Sequence, residues 1–268
     1  MEQEQLNDIK LKFTEYVRTF KYRVPDWKKN IGLKELHSWK VSKEITTIAL
    51  NLGVDRNDLL LAEAIGLLHD IGRFEQFIRY KTFADTESVN HGEFGAEILE
   101  KTSLLDFVES RDKHIIFDCI RYHNALKIPL DLSERSVFFL TLIRDADKLD
   151  IYRVVTEHYQ NREVEENKTI ELDLEDSDHI SDSAVNSIFS HKPIKYNELR
   201  SLNDFKLLQL SWVFDINHEK TARLILQREY LKMIRSSLPD NKRIDSVFSY
   251  ICSIIESKSQ LEAGRSIA

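Results

Sequence analysis

The chain has 268 residues, of which 7 are Gly and 4 are Pro, whereas average usage of these two turn formers is about 12%. This scarcity disfavours a hairpin-rich sandwich or barrel, and a content of 42% apolar and 31% charged residues excludes disorder for the bulk of the chain. The net charge of −7 excludes the broad basic field that drives duplex nucleic-acid binding, so no duplex nucleic acid is expected as a partner. The composition therefore predicts a mostly helical, globular protein.

The chain shows no sign of a targeting or membrane segment. No apolar stretch approaches the roughly 18 residues that a bilayer span requires, and residues 1–10 lack the cationic start and apolar centre of a secretion signal. Cys119 and Cys252 each lie in an apolar run, and no CxxC motif occurs. These features predict a cytoplasmic protein with reduced thiols and no membrane partner.

Apolar residues at helical spacing predict a series of amphipathic helices. Gly53 is the natural stop of the second helix, and Asn57 or Asp58 is the expected N-cap of the third, whose LLLAEAIGLL run is apolar nearly all round. That helix is expected to be central and buried. The predicted helices are 3–21, 33–52, 59–68, 91–101, 112–123, 133–159, 181–189, 197–215, 218–237 and 242–257.

One shift in composition divides the chain. Residues 161–178 are acidic, and their IELDL alternation fits either a short strand or a loop. We therefore predict an all-α fold with a helical core over 1–160, an acidic loop over 161–178 and a helical C-terminal extension over 179–268. The pattern leaves open whether this extension is part of the same domain.

Several titratable residues lie on the apolar faces of the predicted helices. His37, His69, His91, His123 and Asp147 each continue a stripe of apolar residues at spacings of three or four. A buried ionisable group is costly unless it is paired or binds a metal. Periodicity alone does not decide between these roles, since a single such histidine is more often a hydrogen-bonded core residue. Two further histidines pass the same test, namely His158 and His218.

The pair His69-Asp70 ends the apolar third helix in the segment LLHDIGR. Neighbouring side chains diverge by about 100° at a helix end, so both can reach into one cavity. Imidazole with carboxylate suits Zn, Mn, Fe, Ni or Co better than calcium. In the DADKLD segment, helical stepping favours Asp147 over Asp145 as the inward-facing carboxylate, and Asp150 is placed to orient a ligand histidine.

The ordered motifs LLHDIGR, NHGEFGAEIL, IRYHN and IRDADKLD, preceded by His37, resemble those of the HD-domain metal-dependent phosphohydrolases, in the subset that binds two metals. The resemblance implies an HD-domain helical bundle and six metal ligands. The matching residues are His37, His69, Asp70, His91, His123 and Asp147. It also implies that one metal is held by four residues, His37, His69, Asp70 and Asp147. A second metal would be held by His91 and His123, with Asp70 bridging the two metals.

The resemblance also implies catalytic and substrate-binding cations beside the ligands. Arg73, just after the dyad, and Lys148, just after the closing aspartate, are the best-placed candidates. Both would bind phosphate, and together with His69 and Asp70 they form the predicted catalytic group. Two other residues are weaker candidates. Glu63 could contact a metal ligand, and His114 could protonate the leaving group.

The sequence departs from two known branches of that family. The cyclic-dinucleotide phosphodiesterases carry a double histidine and a later Gly-Tyr-Pro, whereas here Asn124 follows His123 and IPLDL stands in place of the tripeptide. A bifunctional alarmone synthetase and hydrolase would need a second catalytic domain, for which the chain has little room.

The resemblance therefore implies a divalent-metal-dependent phosphohydrolase, either a phosphomonoesterase or a phosphodiesterase. It would use a metal-bound hydroxide to hydrolyse a small anionic substrate, a nucleotide or a related phosphate ester. Two metal ions are expected, from among Mn, Fe, Ni, Co, Zn and Mg, and a homo-oligomer is left open. Two alternatives stand beside this prediction: a di-iron HD-type oxygenase that activates O₂, and a non-catalytic regulatory module that binds metal or nucleotide.

Overall fold

Helices form the regular structure of the chain. A computed structural model describes residues 1–25, 27–162, 168–172 and 174–260, and no strand occurs among those residues. The prediction of an all-α fold is confirmed. Within the same residues, no helix is long and apolar enough to cross a membrane.

The chain divides into two compact units, Met1–Asp150 and Ile151–Ala268. Among its described residues, the first unit contains six α-helices and the start of a long seventh α-helix, which continues into the second unit. These helices are α1 (Gln3–Lys21), α2 (Leu33–Asn51), α3 (Arg56–Leu68), α4 (Ile71–Tyr80), α5 (His91–Lys101), α6 (Ser110–Tyr122) and α7 (Glu134–Asn161). The unit boundary falls inside α7, and the predicted division into 1–160, 161–178 and 179–268 stays a prediction.

The second unit contains shorter helices that follow α7. They are α8 (Lys168–Glu171), α9 (Asp182–Phe189), α10 (Leu202–Ser211), α11 (Glu219–Gln227), α12 (Tyr230–Ser236) and α13 (Lys242–Ser259). The predicted helix over 218–237 is divided into α11 and α12, because Glu229 adopts a left-handed φ of 55°. The predicted helix over 197–215 begins only at Leu202 and ends in a 3₁₀ turn, Trp212–Asp215.

The acidic segment is only partly described. Its residues 163–167 and 173 lie outside the described residues. The described part forms the single helical turn Lys168–Glu171, so the strand alternative is wrong there. His158, at the end of α7, hydrogen-bonds Glu171 at 2.8 Å, which gives this buried histidine a carboxylate partner.

The third predicted helix lies at the centre of the first unit, as its apolar run indicates. Eight of its residues, from Leu60 to Leu68, are buried, and the helix packs against α1, α2 and α6. Its N-cap is Asp55, whose side chain accepts a hydrogen bond from the Asp58 backbone N–H at 2.8 Å. The prediction of Asn57 or Asp58 as the cap is therefore wrong by two or three residues.

Helix α4 was not among the predicted helices, although Ile71, Phe74 and Phe77 follow one another at spacings of three and are buried. It begins directly after Asp70, and its fully buried Phe74 packs edge-on against Phe13 of α1 at 5.9 Å between ring centroids. Aromatic pairs in this arrangement add to the stability that area burial supplies. This contact packs α4 against α1 and so positions Asp70, which directly precedes α4.

Close backbone crossings bring the helices of the first unit together. A Cβ atom on Gly66 would lie 2.7 Å from Ser42 Cα of α2, and one on Gly72 would overlap the His91 carbonyl oxygen and lie 2.8 Å from Gly95 N. Real Cβ atoms do not approach backbone so closely, so only glycine fits at these crossings. Gly66 thus allows α3 to lie close to α2, and Gly72 allows α4 to lie close to α5.

Candidate metal centre

The six predicted ligand residues lie on six different elements of the fold. Four lie at helix ends and two lie within helices, which places their side chains around one point. His37 is in α2, His69 follows α3, Asp70 precedes α4, His91 begins α5, His123 follows α6 and Asp147 is in α7. The four histidines and Asp70 are buried, and Asp147 is partly exposed. The structure therefore brings all six predicted residues together.

One set of donor atoms is formed by His37, His69 and Asp147. The Nε2 atoms of the two histidines lie 3.2 Å apart, and Asp147 Oδ1 lies 3.0 Å from His37 Nε2 and 3.6 Å from His69 Nε2. Asp70 Oδ2 completes the set at 3.6 and 3.7 Å from the same two nitrogens. Four potential ligand atoms thus surround one position.

A second set of donor atoms is formed by His91 and His123. Their Nε2 atoms lie 2.9 Å apart, and the other oxygen of Asp70, Oδ1, lies 3.5 and 3.8 Å from them. Each oxygen of Asp70 therefore faces its own histidine pair. This is the arrangement that a carboxylate bridging two cations requires.

Outward hydrogen bonds fix the orientation of all four imidazole rings. His69 Nδ1 donates to the Gly66 carbonyl at 2.9 Å, and His123 Nδ1 donates to the Ile120 carbonyl at 2.8 Å. A carbonyl can only accept, so the proton of each neutral ring is on Nδ1 and the lone pair of Nε2 points inward. His37 and His91 turn Nδ1 instead toward carboxylates, Asp150 at 2.7 Å and Asp85 at 2.6 Å.

Burial and neighbouring charges shift the titration of the cluster. Burial, followed by the nearby His91 and His69, lowers the pKa of His123 to about 3. Burial would raise the pKa of Asp70, but Lys34 and the cluster histidines outweigh it and hold that pKa well below its usual range. At neutral pH the centre therefore presents a neutral imidazole and an ionised carboxylate, which are the forms that bind metals.

The first histidine behaves differently when no cation is present. Burial alone would lower the pKa of His37, but hydrogen bonds with Asp147 and Asp150 outweigh it and raise the pKa to about 9. A proton on Nε2 then balances the charge of Asp147. A cation bound to the same nitrogen would displace that proton, since Nε2 has one lone pair.

The donor set fits divalent metal ions. Three overlapping groups of buried or partly buried ligands have atoms within 4.8 Å of one another; they are His37 with His69 and Asp70, His69 with His123 and Asp147, and Asp70 with His91 and His123. Imidazole nitrogen and carboxylate oxygen are a mixed set that binds first-row transition metals. The two Nε2 atoms of each histidine pair lie about 3 Å apart, a separation at which two inward lone pairs repel one another unless a metal ion or a proton lies between them.

Comparison with known proteins agrees with this geometry. Residues 36–152 match the family model described as the HD domain. The matched segment covers somewhat under half of the chain and contains all six candidate ligands. HD-domain proteins are generally metal-dependent enzymes, and the His and Asp clusters support divalent metal binding.

One curated relative shares a short segment with the chain. It is a [1-hydroxy-2-(trimethylamino)ethyl]phosphonate dioxygenase (glycine-betaine-forming) from Leisingera caerulea, 44% identical over 61 residues. The match covers 23% of this chain and 26% of the relative, so the chain spans about a quarter of that protein's length. No solved structure matches the chain.

The matched segment holds Arg73 in a hydrogen-bond network beside the histidines. Arg73 Nη1 donates to Gln76 Oε1 and Asp85 Oδ1, each at 2.8 Å, and to the Phe83 carbonyl at 2.5 Å. Its Nε lies 3.5 Å from Asp70 Oδ1. These contacts place Arg73 next to the second donor set and engage its Nη1, and its role in binding substrate stays a prediction.

The other predicted residues lie at different distances from the histidines. Lys148 is partly buried next to Asp147 on α7, and its Nζ donates to the Arg144 carbonyl at 3.3 Å. Glu63 pairs with Lys10 at 2.5 Å, an ion pair between α3 and α1. His114 is exposed and faces Asp118 on its own helix at 3.5 Å. The ion pair of Glu63 and the exposure of His114 indicate structural or surface roles.

Two carboxylates orient ligand histidines: Asp150 was predicted from the sequence, and Asp85 was not. The predicted contact of Asp150 with a ligand histidine is present at His37. Asp85 lies in the 3₁₀ turn Asp85–Glu87 of the irregular segment before α5, where periodicity gives no signal. Lys34 was also missed, although it precedes His37 by three residues and therefore shares its helix face.

Replacement of Asp85 tests the orienting contacts. We expect Asp85→Asn to weaken metal binding by about 10–100-fold, because an amide offers one acceptor oxygen where the carboxylate serves His91, Arg73 and Gln76. The measurement is competition for metal with a chelator of known affinity. Glu87→Gln, an exposed change in the same turn, is the matched control and should leave the affinity unchanged. Equal affinities for both variants would show that Asp85 does not orient a ligand.

Proposed function

We propose that the protein is a metal-dependent phosphohydrolase that hydrolyses a small phosphate ester, a nucleotide or a related phosphomonoester or phosphodiester. The observation that carries the proposal is Asp70, whose two oxygens face separate pairs of histidines. One divalent ion would be held by His37, His69, Asp147 and Asp70. A second would be held by His91, His123 and the other oxygen of Asp70.

The donor set accepts several metals, and Mn, Fe, Ni, Co, Zn and Mg are the candidates. When bound, such ions supply Lewis-acid polarisation of phosphoryl oxygens and acidify water at neutral pH. The protein's own contribution is to hold the imidazole rings and the ionised carboxylates of Asp70 and Asp147 in place before binding. His69 and His123 are held by backbone carbonyls, and Asp70 is held between the two pairs by the start of α4.

Positive charge beside the centre suits an anionic substrate. Lys34 Nζ lies 2.9 Å from Asp70 Oδ2, Arg73 Nε lies 3.5 Å from Asp70 Oδ1, and Lys148 follows Asp147 on α7. The whole chain carries a net charge of −7, so this positive charge is local. A small anion that reaches the centre would be attracted there, whereas an extended polyanion would be repelled by the rest of the surface.

A metal analysis followed by an activity screen tests the proposal. We expect purified protein to contain up to two transition-metal ions per chain. It should release phosphate from at least one member of a panel of nucleotides, cyclic nucleotides, sugar phosphates and generic esters in Mn, Mg, Ni or Co. His69→Ala should abolish that activity, and His114→Ala, an exposed histidine, should leave it unchanged. Metal-loaded protein that hydrolyses none of these substrates would contradict the proposal.

The second candidate is a di-iron oxygenase that acts on an organophosphonate. The specific observation in its favour is the 61-residue match to a phosphonate dioxygenase. It uses the same six donors with iron as the metal, and it differs in consuming O₂. Iron-loaded protein that consumes oxygen in the presence of a 1-hydroxyphosphonate, and releases no phosphate from esters, would favour this candidate over hydrolysis.

A further inference from the structure

Lys34 lies at the edge of the metal centre, although no prediction from the sequence named it. It stands one turn before His37 on α2, and its side chain is 19% exposed. Its Nζ atom lies 2.9 Å from Asp70 Oδ2, the oxygen that faces His37 and His69. The ammonium is therefore directed at the first donor set.

Lys34 and Arg73 are held in different ways. Arg73 is fixed by three acceptors on Nη1. Among the described residues, Lys34 has one acidic partner, Asp70, and its Nζ lies 5.4 Å from the centroid of the Phe83 ring. An ammonium group has three N–H donors, so Lys34 keeps donors that Asp70 does not use.

Metal binding would change the balance at Asp70. Under the proposed function its two carboxylate oxygens neutralise cations, and those cations repel the Lys34 ammonium. A largely buried ammonium then needs another anion nearby, because desolvated charge is costly when unpaired. The one acidic partner seen for Lys34 among the described residues is thus the residue that metal binding engages.

We infer that Lys34 binds an oxyanion of the substrate's phosphoryl or phosphonyl group. This inference rests on the proposed function. A phosphate ester and a phosphonate present the same tetrahedral oxygens, and an ammonium donor on a side chain anchored near Asp70 can reach an oxygen placed beside the first donor set. The ring of Phe83 would lie next to the bound oxyanion, because both Lys34 and Arg73 lie over that ring.

Calorimetric titration of the full metal-loaded chain tests the inference, with inorganic phosphate and methylphosphonate as separate probes. We expect Lys34→Met to weaken binding by about 10–100-fold, the range of one hydrogen bond to a charged group. Lys34→Arg, which keeps the charge, should restore part of the affinity. Lys40→Met, an exposed lysine on the same helix, is the matched control and should bind as the wild type does. Metal content should be equal in all four proteins.

The outcomes separate this inference from the proposed function. Unchanged anion binding by Lys34→Met would overturn the inference alone, and so would loss of metal from that variant, since Lys34 would then act by supporting Asp70. Failure of the metal-loaded wild type to bind either probe would contradict both the inference and the proposed function. Tighter binding of phosphate than of methylphosphonate would favour the ester as substrate, and the reverse would favour the phosphonate.

Discussion

Asp70→Asn is expected to empty the metal centre while leaving the fold in place. Loss of the charge weakens the carboxylate whose two oxygens face the two histidine pairs, so metal affinity should fall by at least about 100-fold, since groups that only orient ligands already contribute 10–100-fold. The side chain of Asp70 makes no capping hydrogen bond to α4, and the amide has nearly the same size. Helix content should therefore stay unchanged in circular dichroism, whereas metal content measured by mass spectrometry should fall.

The control for this variant is a carboxylate away from the centre. Asp106 has a side chain that is 67% exposed and lies 3.9 Å from Lys113, so Asp106→Asn should keep both metal and activity. Added metal should raise the melting temperature of the wild type and of this control, because a ligand that binds only the folded state stabilises it. A metal-dependent rise of the same size in Asp70→Asn would show that Asp70 is not a ligand.

Gly72→Ala is expected to disturb the centre through the backbone. The added methyl group would overlap the His91 carbonyl oxygen and lie 2.8 Å from Gly95 N, and backbone atoms cannot rotate away as a side chain does. Helices α4 and α5 must move apart, at a cost of about 1–3 kcal/mol or more. For a chain of this size that is roughly 2–4 °C of melting temperature per kcal/mol. His91 begins α5, so the second donor set should also lose metal.

Gly53→Ala separates this effect from general destabilisation. Gly53 has a left-handed φ of 69°, and a Cβ atom there would meet nothing within 4 Å. Its replacement should cost about 1 kcal/mol of stability through backbone strain and leave the metal content unchanged. If both glycine variants retained metal equally, the close approach of α4 and α5 would not be what positions His91.

The local sequence predicted most of the helices, and the resemblance of its motifs named six candidate ligand residues. Each amphipathic face is a relation among residues three or four positions apart, so Ile9, Phe13 and Val17 predict a helix whatever surrounds them. The same relation placed His37 and Asp147 on inward faces. The ordered motifs then pointed to six ligands, and all six converge in the structure.

Elements whose position depends on distant contacts were not predictable in this way. Helix α4 follows the dyad directly and is held by Phe74 against α1, a contact between residues 61 positions apart in the chain. Asp85 reaches His91 from an irregular segment, where no repeat marks a side chain as inward-facing. These two contacts depend on long-range packing, and local periodicity carries no information about them.

The scarcity of glycine, with seven in the chain, first indicated a high helical content. The tertiary structure then showed that Gly66 and Gly72 lie where helix backbones cross closely. The sequence alone determined that helices would carry the histidines and that no glycine-rich phosphate loop was present. Only the tertiary structure decided that each oxygen of Asp70 would face a different histidine pair and that Lys34 would lie beside one of them. The reason is physical: helix formation depends on neighbours within one or two turns, whereas the meeting of side chains from six elements depends on how closely backbones cross. At Gly66 and Gly72 that distance is set by the absence of a Cβ atom.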